Sequence, residues 1–162
     1  MTGLLVIGIG NLDCGDDAAG PLVARRLAGR VPPGVTIQVR TGDMIGLIED
    51  WTGCDGVVLV DAAAPVGGPG VIHHLDLLRD ELPPGLSFAS THVFGVADAV
   101  GLARALGQLP RHLIAYAIEG ATFEPGAPVS PAVAEAVEAV ATRVAADMHR
   151  LATGLAGLPL AR

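Results

Sequence analysis

The sequence contains no lysine, and its ten basic residues other than histidine are all arginine. Seventeen acidic residues outnumber them, so the formal net charge is −7 at neutral pH. Proteins that bind nucleic acid need a basic patch or stripe to neutralise the phosphate backbone. We therefore expect no nucleic-acid partner.

Long apolar runs and paired cysteines are missing as well. No apolar run reaches the ~20 residues of a membrane span, and the amino terminus lacks the basic region of a signal peptide. The two cysteines, Cys14 and Cys54, form neither a metal-type pair nor a disulfide framework. These absences predict a cytoplasmic protein without a membrane anchor. The length of 162 residues suits one domain, residues 1–162.

Short apolar, β-branched runs bounded by glycine, proline or aspartate predict buried parallel strands. They lie at 4–9, 35–39, 57–60 and 113–118. Helical patterns occur at 18–30, 43–52, 92–107 and 131–152, the last beginning with Ser130 as cap and Pro131 in the first turn. The alternation predicts an α/β fold, a three-layer α/β/α sandwich. The segment 68–77 follows the third strand too closely for a crossover helix, so we predict an antiparallel edge strand there.

The first loop carries a partial nucleotide-binding pattern. In "IGIGNLDCGDDAAG", residues 7–20, Gly8 and Gly10 supply two glycines of the dinucleotide fingerprint. Asp13 stands where the third glycine belongs, and Asp16 and Asp17 would face the pyrophosphate with like charge. A dinucleotide site therefore fits poorly.

A divalent cation site is the stronger hypothesis. Ligands in open α/β sheets bind beyond the carboxyl ends of the strands, where Asp17 and Asp61 fall. His92 is predicted in the first turn of a helix that Ser90 caps. Two carboxylates and one imidazole leave coordination positions open, which suits nickel or zinc. Each residue alone also has an ordinary structural role, such as a helix cap.

Other polar residues at this predicted edge have weaker claims to a site. They are Asn11, Asp13, Cys14, Asp16, Thr41, Asp43 and Glu119. His73 and His74 are adjacent on one strand, so their side chains point to opposite faces and cannot both bind one metal. We expect surface and packing roles for that pair.

Several motifs together resemble the hydrogenase maturation protease family, the peptidases that trim the large subunit of nickel-iron hydrogenases. They are "GIGN" followed by "DDAAG", then "VLVDA", "STH" and "IEG", over residues 3–150. The resemblance implies a five-stranded, mostly parallel sheet of order 2-1-3-5-4 in which strand 4 is antiparallel. It also implies an endopeptidase that removes a C-terminal extension from the large-subunit precursor.

The resemblance further implies that Asp17, Asp61 and His92 are both the metal ligands and the catalytic residues, with Asp17 or Asp61 as candidate base. The metal would be nickel already installed in the precursor, for which zinc or cadmium can substitute. A monomer that acts on the large-subunit precursor is expected.

The chain departs from the family pattern at two positions. Asp17 stands where many relatives have glutamate, and Thr41-Gly42 replaces an acid-glycine pair after strand 2, the acid moving to Asp43. The second departure motivates an alternative function, a non-catalytic metal-binding assembly factor on the same fold.

Overall fold

A computed structural model describes residues 3–41, 43–88 and 95–156 of the chain. The strands within these ranges are β1 (Leu4–Ile9), β2 (Val35–Arg40), β3 (Gly56–Ala63), β4 (Ile72–Asp76) and β5 (His112–Glu119). The α-helices are α1 (Ala19–Arg26), α2 (Met44–Trp51), α3 (Val96–Ala105) and α4 (Pro131–Ala156), and a 3-10 helix, Gly15–Ala18, precedes α1.

The five strands form one sheet in the order β2-β1-β3-β5-β4. β2, β1, β3 and β5 pair in parallel, whereas β4 runs antiparallel to β5 at the edge. The chain has too few residues between β3 and β4 for a crossover helix, so it can only turn back. The predicted α/β fold, strand order and antiparallel edge strand are confirmed.

Helices cover both faces of the sheet. α1 and α4 pack together against one face, and α2 and α3 pack together against the other. All residues of β1 and β3 are buried, as expected for central strands covered on both sides. Among the described residues, no helix combines the length and the apolar character that crossing a membrane requires.

Several predicted boundaries differ from the structure. α3 begins at Val96 rather than at 92, because Gly95 is extended and its N–H donates to the Asp98 carboxylate at 2.9 Å. His92, which we predicted in the first turn of this helix, and Ser90, predicted as its cap, lie outside the described residues.

β3 and β5 are longer than predicted, and their extra residues include Asp61 and Glu119. The first predicted helix, 18–30, is instead the 3-10 helix followed by α1, which ends at Arg26.

The glycines of the first loop serve close packing. A Cβ atom on Gly8 would lie 2.3 Å from the carbonyl oxygen of Gly20, far inside contact distance. A Cβ on Gly20 would lie 2.3 Å from the oxygen of Ile9 and 2.4 Å from that of Val60. α1 can therefore rest directly on β1 and β3 only because both positions lack a side chain.

This packing predicts the effect of a methyl group at Gly20. Gly20→Ala should lower the free energy of unfolding by at least ~1–3 kcal/mol, the usual cost of overpacking, because the obstacles are backbone atoms. The matched control is Gly101→Ala in α3, where nothing lies within 4 Å of the added methyl group. That variant should gain up to ~1 kcal/mol from helix propensity. Urea unfolding measures both, and equal stability of the two variants would contradict the packing account.

Candidate metal centre at the carboxyl edge of the sheet

The carboxyl ends of β1 and β3 form the switch point of the sheet. The chain leaves β1 toward β2 on one side, and it leaves β3 toward the β5 and β4 half on the other. The pairing of β1 with β3 ends at Gly8 and Val60, so the next residue of β3, Asp61, lies where the strands part. Crevices of this kind are where open α/β sheets bind ligands.

Asp17 reaches this edge through the 3-10 helix that follows β1, and that helix lies against β3. Gly10 has a φ of 144°, and a Cβ on it would lie 1.9 Å from the carbonyl oxygen of Asp17, so only glycine allows the loop to fold back so tightly. The Asp17 carboxylate accepts a hydrogen bond from the N–H of Asn11 at 3.0 Å. Asp17 is half-buried at this point.

Asp61 lies within β3 and is 1% exposed. One of its carboxylate oxygens accepts a hydrogen bond from the N–H of Ala62 at 2.8 Å. Two residues further, Ala63 is bridged to Phe88, which is the last residue described before the segment that contains His92. Asp17 and Asp61 thus belong to one edge, and the predicted set of three ligands stays a prediction because His92 lies outside the described residues.

The neighbouring acid, Asp16, is a structural residue. It is fully buried, and its carboxylate accepts bonds from the backbone N–H groups of Ala121 at 2.7 Å, Thr122 at 3.3 Å and Ser130 at 2.7 Å. The Ser130 hydroxyl, which we predicted as the cap of α4, also donates to Asp16 at 2.7 Å. Burial raises the pKa of Asp16, but these hydrogen bonds outweigh it and hold the pKa below its usual value.

Glu119, the last residue of β5, is a second buried structural acid and is 1% exposed. One carboxylate oxygen accepts bonds from three successive backbone N–H groups, those of Val66, Gly67 at 2.7 Å and Gly68 at 3.1 Å. The other oxygen lies 2.6 Å from Nε2 of His73. Burial raises the pKa of Glu119, but the hydrogen bonds from the loop N–H groups and His73 outweigh burial and lower the pKa to about 2.

The sequence did not reveal this contact. His73 and Glu119 are 46 residues apart, and only the antiparallel pairing of β4 with β5 brings them together. His74 instead is exposed and tilts against the ring of Tyr116, with centroids 5.0 Å apart. A glutamate at the end of β5, together with two adjacent glycines in the loop before β4, is the signal that could have indicated this loop contact.

The acid after β2 is a helix cap. Asp43 precedes α2, and its carboxylate accepts the N–H of Gly46 at 3.1 Å. The guanidinium group of Arg40 lies 3.8 Å from the Asp43 carboxylate and forms a closer ion pair with the Asp50 carboxylate, at 2.5 Å. Asp43 therefore has a local structural role, which fits its preference for the N-cap position.

The geometry also weighs against a dinucleotide. A pyrophosphate at this loop would need free backbone N–H groups at the start of the helix. The N–H of Asp16 donates to the carbonyl oxygen of Thr122 at 2.8 Å, and that of Asp17 donates to the carbonyl oxygen of Cys14 at 3.1 Å.

Across 3–41, 43–88 and 95–156, no three histidine, cysteine or acidic side chains form a cluster that could hold a metal.

Comparison with known proteins gives a consistent result. The sequence model of a family described as hydrogenase maturation protease matches residues 41–147. The hydrogenase 2 maturation protease of Escherichia coli is 27% identical over 161 residues, covering 96% of this chain and 95% of that relative. The hydrogenase expression/formation protein HupD of Bradyrhizobium diazoefficiens is 29% identical over 140 residues, covering 83% and 71%.

Solved structures share the fold. The hydrogenase maturating endopeptidase HybD of Escherichia coli superposes with a TM-score of 0.75 at 24% identity, covering 92% of this chain and 93% of that one. The [NiFe] hydrogenase maturation protease HycI of Thermococcus kodakarensis gives a TM-score of 0.68 at 28% identity, covering 91% and 93%. The layer arrangement described above is therefore one that these structures also have.

The different roles of the acids in the first loop can be tested through stability. Asp16→Asn should lower the free energy of unfolding at pH 7 by about 3 kcal/mol, because a hydrogen bond to a charged group is worth ~1.5–3 kcal/mol. The exposed Asp13 provides the control, and Asp13→Asn should stay within ~0.5 kcal/mol of the wild type. Urea unfolding at pH 7 measures both.

The same variants predict a pH dependence. The folded pKa of Asp16 is lowered, so its contribution is complete above the unfolded value of ~3.9 and is lost as pH falls through the folded value. The stability difference between the wild type and Asp16→Asn should therefore shrink when unfolding is measured at about pH 3. A difference that is the same at pH 7 and pH 3 would show that the charge of Asp16 is not the stabilising element.

Proposed function

Because the chain belongs to the hydrogenase maturation protease family, we propose that it is an endopeptidase that removes the C-terminal extension of a nickel-iron hydrogenase large-subunit precursor after nickel insertion. It would act as a monomer in the cytoplasm. The observation that carries the proposal is the position of Asp17 and Asp61 at the switch point of the sheet, on adjoining elements.

The donor chemistry of this edge suits a divalent cation. Asp61 is a carboxylate removed from water, and such a group is stabilised by donors and by positive charge brought close to it. Asp17 adds a second carboxylate, and we propose His92 as the third ligand. Two oxygen donors and one imidazole are compatible with nickel, with zinc or cadmium as substitutes.

In this proposal nickel is part of the substrate. Asp17, Asp61 and His92 would bind the ion that the precursor carries, so the free energy of this contact is available only from a loaded precursor. The scissile peptide bond is thereby placed beside two carboxylates. Hydrolysis requires a base for the attacking water, and Asp17 and Asp61 are the candidates for that role.

The assembly-factor alternative rests on the residues after β2. Thr41 replaces the family acid, and the displaced acid, Asp43, caps α2 and lies beside Arg40. If catalysis needs an acid at the original position, the protein would bind its loaded partner without cutting it. Binding and cleavage must therefore be measured separately.

The experiment mixes the protein with its large-subunit precursor in nickel-loaded and nickel-free form and follows the C-terminus by mass spectrometry. We expect the wild type to shorten the loaded precursor only. Asp17→Asn keeps the size of the side chain but removes the charge that favours a cation, so this variant should cleave neither form. Asp13→Asn changes an exposed acid of the same loop and should cleave like the wild type.

Each other result has a defined meaning. Equal trimming of both precursors would refute recognition of nickel. A loaded precursor that binds to the wild type but keeps its extension would refute the peptidase and favour the assembly factor.

A further inference from the structure

The loop of residues 64–68, which joins β3 to the segment before β4, is held by one buried carboxylate. Three of its successive backbone N–H groups, those of Val66, Gly67 and Gly68, donate to a single oxygen of Glu119. Backbone N–H groups of a surface loop can be satisfied by water, whereas burying a carboxylate is costly unless donors surround it. The protein thus uses a buried charge to fix a loop that solvent could have satisfied.

Backbone hydrogen bonds hold the chain on both sides of this loop. Gly70 donates its N–H to the oxygen of Glu119 at 2.7 Å, and Glu119 donates its own to the oxygen of Val71 at 2.9 Å. On the other side, Ala64 donates to the oxygen of Ser87 at 2.9 Å. His73, bound to the second carboxylate oxygen at 2.6 Å, adds a contact from β4. The 64–68 loop is therefore held by hydrogen bonds along its length and on both sides.

The fixed loop carries an apolar side chain into solvent at the edge where the candidate metal centre lies. Val66 is 60% exposed, although the loop begins only three residues after the buried Asp61. A single exposed valine is ordinary on a mobile surface. Here hydrogen bonds to Glu119 hold the loop, and a contact group that is held before binding loses less entropy when the partner arrives.

We propose that the 64–68 loop is a substrate-contacting wall of the cleavage site, in which Val66 packs against an apolar side chain of the precursor and Glu119 is the positioning residue. This inference rests on the proposed function for the identity of the partner. Glu119 does not touch the substrate and acts through the conformation of the loop, whereas Val66 makes the contact.

The test is a double-mutant cycle on cleavage of the nickel-loaded precursor. Val66→Ser should raise KM about tenfold, which corresponds to the free energy of burying most of one valine side chain. Its kcat should stay within about twofold of the wild-type value. Glu119→Gln weakens the charged hydrogen bonds to the loop and should raise KM about fivefold with kcat similarly preserved. Because both residues act through one contact, the KM of the double variant should exceed that of Val66→Ser by less than about twofold, rather than by the fivefold effect of Glu119→Gln.

A structural control separates positioning from loss of stability. Tyr116 is also on β5, but its hydroxyl donates a buried hydrogen bond to Asp147 at 2.5 Å on the opposite face of the sheet. Tyr116→Phe removes this hydrogen bond. That variant should lose stability yet keep KM. If Glu119→Gln does not fold, His73→Ala removes the hydrogen bond to the other Glu119 oxygen from its half-buried partner and should raise KM in the same direction.

The outcomes distinguish this inference from the proposed function. The substrate contact of the 64–68 loop would be refuted if Val66→Ser left KM unchanged. It would also be refuted if the effects of Val66→Ser and Glu119→Gln on KM multiplied. A wild type that binds the loaded precursor without cutting it would refute the peptidase, and the same cycle is then measured on the dissociation constant, with the same expected ratios. No binding to the precursor by the wild type would overturn both.

Discussion

Burial of negative charge at one edge of the sheet is the constraint on which the rest of this structure depends. Asp16, Asp61 and Glu119 are each at most 1% exposed. A carboxylate out of water is tolerated only where N–H groups or positive charges surround it. Asp16 obtains its donors from the loop before α4 and Glu119 obtains them from the loop after β3, so these charges determine the course of both loops.

The two anchored loops frame the switch point between β1 and β3, where Asp17 and Asp61 lie. Glycines at positions 8 and 20 bring α1 onto the strands, and this contact sets the 3-10 helix against β3. The acids of the edge thus divide into a structural pair, Asp16 and Glu119, and a candidate ligand pair. A frame of this kind suits the function that we propose, the recognition of one ion in one position.

Much of the fold could be predicted because it depends on local patterns. The β-branched runs and the short β3–β4 connection were sufficient for the α/β fold and the antiparallel edge strand. Contacts between distant residues could not be predicted in this way: nothing local distinguishes Asp16 from Asp17 or pairs His73 with Glu119. The start of α3 was misplaced because Asp98 fixes the cap at Gly95, three residues beyond His92.

The central claim is that Asp17 and Asp61 act together as cation ligands at the switch point. Crystals of the protein soaked in zinc, with anomalous diffraction recorded at the zinc edge, test this claim most directly. The account predicts an anomalous peak ~2.0–2.2 Å from a carboxylate oxygen of both Asp17 and Asp61. Zinc bound only elsewhere, for example at the exposed His74, with neither aspartate as a ligand, would contradict it.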